Sequence, residues 1–146
     1  MAFTGNYTCN VFRTGLLDGV YNFGTGTTDV FKIALYTNDA TLDATTTAYT
    51  STGEVADAGY TAGGEVLVIN QVPTTGNAPN TTAYISFVNA SWTGAITARG
   101  ALIYKFDGST NPAVCVLDFG ANKTSATTFV VQFPAATDTS AIIRIA

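Results

Sequence analysis

From Val30 to Ile145, large apolar residues recur at every second position in short runs, with no stretch of helical period between them. The run VFKIALY at 30–36 sets Phe31, Ile33 and Leu35 on one face and Lys32, Ala34 and Tyr36 on the other, the two-residue period of a half-buried strand. Runs at 65–70, 83–88, 101–106, 113–119, 128–133 and 141–145 have the same character. They are rich in Val, Ile, Tyr and Phe and bounded by Gly, Pro, Asn, Asp or Thr. Short strands without intervening helices predict an all-β fold, an antiparallel sandwich or barrel rather than an α/β fold, read here as a β-sandwich of jelly-roll or Ig-like kind.

One segment breaks this pattern. Phe12, Leu16 and Val20 recur at i, i+4 and i+8 with Leu17 beside them, which predicts one short N-terminal helix over 12–23, capped by Asn10 or Thr8 and closed by Gly24 and Gly26. Gly15 and Gly19 weaken it, each by about 1 kcal/mol relative to Ala. Residues 1–11 then form an N-terminal arm. Between the strands, 37–64 is rich in Thr, Ala, Asp and Gly and reads as a long surface excursion, with a short strand near 54–60. The stretch 73–80 carries two prolines and reads as an exposed loop. Asp107-Gly108, followed by Ser-Thr-Asn-Pro, predicts a hairpin between 101–106 and 113–119. Residues 120–126 then lead to the next strand in a carboxy-terminal meander.

With 146 residues, 47% of them hydrophobic, the chain suits a single domain, 1–146, that buries its own core. No apolar run approaches the roughly 18 residues of a membrane span, so no membrane partner is expected. No basic segment followed by a long apolar one opens the sequence, so no export signal is expected. Net charge is −4, and the six basic residues, Arg13, Lys32, Arg99, Lys105, Lys123 and Arg144, are scattered. Nucleic acid, which draws on clustered Lys and Arg, is therefore not an expected partner. Only 11% of residues are charged, against about 25% in an average domain, and Thr fills much of the difference. Such a surface suits packing against other protein.

The chain has no histidine, which removes the usual general base and the commonest metal ligand. No catalytic, cofactor-binding or metal-binding residues are assigned, and no cofactor is expected. Asp39 and Asp43 lack the alternating spacing of a calcium loop and read as solvated carboxylates. Cys9 and Cys115 fit no metal spacing and read as reduced thiols. Asn-x-Ser/Thr triplets start at Asn6, Asn80, Asn89 and Asn122, as expected by chance in a Thr-rich chain. Trp92, Tyr84, Tyr104 and Phe119 could together form a sugar-binding platform, against the commoner reading that sandwich aromatics are core.

The runs GALIYKF at 100–106, AVCVLDFG at 113–120, TFVVQFP at 128–134 and AIIRI at 141–145 resemble a family of tailed-bacteriophage virion structural proteins. Earlier pieces follow in the same order: LLDG at 16–19, NFG at 22–24, FKIALY at 31–36, AYTSTGEV at 48–55 and GYTAGG at 59–64. The resemblance spans about 12–146. It implies a small, non-enzymatic β-sandwich protein, made in the host cytoplasm and assembled on the exterior of the capsid. There it would act as a decoration or cement protein that bridges major capsid protein capsomers, with copies of itself, in a trimer by preference, as the other partner. The alternative it implies is a tail-associated component; the long loops and the aromatic residues above extend that alternative to a fibre adhesin that binds host-surface glycans. The arm before Phe12 and the 37–64 excursion, which lack apolar periodicity, are the expected contact segments.

Overall fold

The computed structural model describes residues 3–77, 79 and 81–146, and within them the chain is all-β and sandwich-like with one short helix. Every strand pairing is antiparallel. A five-stranded sheet has the order β1 (Tyr7–Thr8), β8 (Ala113–Ser125), β7 (Ile96–Phe106), β2 (Val30–Tyr36), β3 (Glu65–Leu67). A three-stranded sheet has β5 (Ala83–Phe87) between β10 (Ile143–Ile145) and β4 (Ile69–Thr75), and β6 (Ala90–Thr93) pairs with β9 (Thr128–Val131). β3 and β4 are separated only by Val68, so the chain turns a corner there from one sheet into the next.

The odd-numbered side chains of β2 face the core. Phe31 lies 6.3 Å from the Phe87 ring of the second sheet, and Phe23 stacks on Phe31 at 4.3 Å. The helix, α1 (Asn10–Leu17), closes the same side, with Phe12 edge-on to Tyr21 at 4.9 Å. It is shorter than the apolar stripe predicts. Gly19 takes φ +73°, and the Gly19 and Val20 amides bond back to Leu16 and Gly15, a left-handed stop that ends the helix before Val20. Cys9 stands at the N-cap without a side-chain cap bond, so neither Asn10 nor Thr8 caps it. Gly15 is buried because the Tyr21 ring occupies the space of a side chain there.

Several segments depart from the sequence expectations. The amino-terminal arm is not separate from the core. Phe3 is fully buried in the space over Gly100, and β1 adds to the edge of β8. The 37–64 stretch is no loose excursion, since Ala40, Leu42, Val55 and Tyr60 are core residues, and the short strand expected near 54–60 reduces to one bridge, Tyr36 to Glu54. Residues 73–75 belong to β4 rather than to a loop; Ala78 and Asn80 lie outside the described residues.

The expected hairpin forms between β7 and β8, but residues 120–125 continue β8 instead of linking strands. The meander therefore does not form: β9 leaves β8 and pairs with β6, a strand the alternation does not reveal because only four residues carry it.

Candidate interaction surface

The outer face of the five-stranded sheet is divided between a part the chain covers itself and a part it leaves open. Register places Lys32 beside Tyr104, Ala34 beside Leu102 and Tyr36 beside Gly100, so these even-numbered β2 positions and their partners share that face. Over its upper end runs the 37–64 segment. The Tyr49 ring stacks on Tyr104 at 4.9 Å, the Tyr36 hydroxyl donates to Thr50 O at 2.6 Å, and the Tyr104 hydroxyl donates to Gly63 O at 2.8 Å.

Glu54 ties this cover together. Its carboxylate accepts the hydroxyls of Tyr49 and Tyr60, each at 2.6 Å, and the Gly63 amide at 2.7 Å. Burial, and next the Glu54 carboxylate, raise the phenols of Tyr36, Tyr49 and Tyr60 far above the usual range, and Tyr104 to about 12. Phenols held neutral in this way donate fixed hydrogen bonds and do not shuttle protons at physiological pH. The cluster is chemically a clamp.

Below the clamp the same face is bare. Val30 and Phe106 are direct cross-strand partners, and both are exposed, Phe106 by 45%. Lys32 is flanked by Val66, which is 57% exposed, and its ammonium sits 5.1 Å from the centroid of the Phe106 ring. Val68, equally open, follows Val66 by one strand period. The result is an apolar strip around a single cation.

The opposite face carries a second exposed apolar feature at the same end. Lys105, which shares the Phe31 side of the sheet, donates to Val20 O at 2.6 Å and pairs with Asp29 at 3.0 Å, fixing the turn after α1. From that turn Leu17 projects with 91% of its surface exposed, next to Asp18 and the partly exposed Val20. The sequence stripe assigned Leu17 and Val20 to the helix's buried side. Leu17, the last helical residue, points away from the buried Phe12 and Gly15, and the stop at Gly19 leaves Val20 beyond the helix.

A groove of about 270 Å³ lies between α1 and the β5–β10 pair, walled by Phe12, Leu16, Tyr21, Tyr84, Ile143 and Ile145. Its walls can hold an aliphatic or aromatic group but offer no converging acids, bases or nucleophiles.

The residues singled out in the sequence do not converge on a site. Trp92 and Tyr104 are buried, 3% and 1% exposed, Tyr84 lines the groove on another sheet, and Phe119 reaches Trp92 only through Phe129. The four rings therefore present no sugar platform. Asp43 accepts the amide and hydroxyl of Thr45 within its own turn, which lowers its pKa, and no group of three His, Cys, Asp or Glu side chains is placed to hold a metal among the described residues.

Cys9 and Cys115 are free and buried. Burial pushes Cys9 up to about 11 and raises Cys115 as well, so neither is a nucleophilic thiolate at neutral pH. The Asn6 and Asn89 side chains accept the Asp118 and Phe133 amides, roles internal to the fold. Asn80 lies outside the described residues.

Sequence reasoning missed Glu54 and the Val30–Phe106 strip. The available signal for the strip was Val30 and Phe106 standing on the Lys32 face at the strand ends, where an exposed face would carry polar residues. The chain matches no family model, no curated protein and no solved structure.

Proposed function

We propose that this chain is a non-enzymatic structural subunit of a phage virion, a decoration protein that sits on the capsid exterior and bridges capsomers. The observation that supports this reading is the open apolar strip of Val30, Val66, Val68 and Phe106 on a chain otherwise poor in charge and rich in Thr. Exposed apolar side chains gathered on one face, rather than scattered singly, mark surfaces that pack against protein. The ordered series of strand signatures that resembles phage virion proteins supplies the setting.

A subunit with such a face stabilises a shell by repetition. Each contact is modest, but copies bound at many equivalent positions must be released together before the shell opens. The adhesin alternative loses one of its motivating features, because the Trp92 and Tyr104 rings are inside the protein.

The experiment is to strip the protein from particles under mild conditions and add it back. Stripped particles are expected to lose resistance to heat and osmotic shock, and added protein to restore it. Unchanged resistance, or a location confined to the tail, would reject the proposal.

A further inference from the structure

Two exposed apolar features of this chain have complementary character. One is the strip of Val30, Val66 and Phe106 with Lys32 at its centre, on the outer face of the main sheet. The other is the α1 turn, where Leu17 and Val20 flank Asp18. The two ion pairs among the described residues are Arg99–Asp118 and Lys105–Asp29, so neither Lys32 nor Asp18 has an opposite charge of its own. Lys32 is already held over the Phe106 ring, which fixes a cation within an apolar surface.

We propose that the strip receives the α1 turn of a second copy of this chain, with Leu17 and Val20 packing on Val30, Val66 and Phe106 while Asp18 pairs with Lys32. The turn and the strip lie at the same end of the molecule but on opposite faces of the sheet, since α1 packs through Phe12 and Phe23 onto the Phe31 side. They cannot meet within one molecule. Because the surfaces differ, the contact is head-to-tail, the kind that closes into a ring or continues as a filament. The charge pair fixes register, and the apolar side chains supply most of the affinity. The proposal does not rest on the virion role.

Sedimentation of the full chain tests it, with thermal unfolding as the check that each variant folds. The parent is expected to self-associate, and Asp18→Lys and Lys32→Asp are each expected to weaken association about tenfold or more. The Asp18→Lys/Lys32→Asp double variant, in which the charges are exchanged, is expected to recover most of the loss. Leu17→Ser, at a side chain the fold leaves exposed, must weaken association to a similar degree even where a Lys32 variant proves unstable. A parent that is still monomeric at about 1 mM overturns the proposal. So do single variants that associate like the parent, or a double variant that recovers nothing.

Discussion

Tyr60 and Glu54 hold each other in place: the Tyr60 hydroxyl donates to Glu54 Oε1 at 2.6 Å while it accepts the Leu35 amide at 3.0 Å. One phenol thus links the covering segment to the backbone of β2 on the edge beyond the end of β3, where Leu35 O also accepts the Val55 amide at 3.0 Å. Through the same carboxylate Tyr49 and Gly63 join the link.

Glu54→Ala is expected to cost about 3 kcal/mol, because it leaves two hydroxyls and an amide with no acceptor where water has limited access. Denaturant midpoints read the loss, and limited proteolysis should then cut within 37–64 before the rest of the chain. An unchanged midpoint would mean that the clamp is dispensable.

Alkaline pH should unfold the protein through its tyrosines. Burial raises five of the seven, Tyr21, Tyr36, Tyr49, Tyr60 and Tyr104, above the ordinary phenol value of 10.0. Above that value the unfolded chain releases phenolic protons that the folded chain retains, so stability is fully present below it and declines as pH rises. Phenolate absorbance should show these five titrating late and together with unfolding. A free titration of all seven while the fold persists would contradict the burial described.

Gly64 is the glycine whose replacement should hurt most. It has φ +72°, and an added Cβ would fall 1.8 Å from Ile33 O, which is backbone of β2, an interior strand paired on both sides. Gly64→Ala is expected to cost about 3 kcal/mol or more, since neither partner can move aside. Gly108, with φ +74° and open space around it, is the control, and its Ala variant should lose only about 1 kcal/mol. Equal losses would show that the approach of Gly64 to β2 is looser than described.

Trp92 should behave as a core residue with one unused donor. Among the described residues its Nε1 has no acceptor, although the ring is buried against Tyr60 and Phe129. Trp92→Ala is expected to cost about 3–5 kcal/mol. Trp92→Phe should cost far less, because it removes an unsatisfied polar group along with some volume. Parent fluorescence should be that of a buried indole and should not respond to added glycans. A glycan-dependent change would reopen the adhesin reading.

Strand identity was legible where alternation was long. Phe31, Ile33 and Leu35 defined the core side of β2 to the residue, and Asp107-Gly108 marked the β7–β8 turn. What the sequence hid depends on contacts distant in the chain. Ala34 and Tyr36 are on the polar side of the alternation, yet they are buried because a segment with few large apolar residues folds over them. That segment is held by hydroxyl and carboxylate bonds, which leave no periodic trace. Phe3 is buried only because Gly100, nearly a hundred residues away, makes room for it. The open strip was hidden for the converse reason, since Val30 and Phe106 look like core until their register shows which face they share.

The role proposed for this chain is decided most directly by where its copies sit. A cryomicroscopy map of the intact particle should show this fold at symmetry-equivalent positions on the outer capsid surface, each copy touching more than one capsomer and turning its Val30–Phe106 face toward protein rather than solvent. Copies found only along the tail, or a particle without the chain, would contradict it.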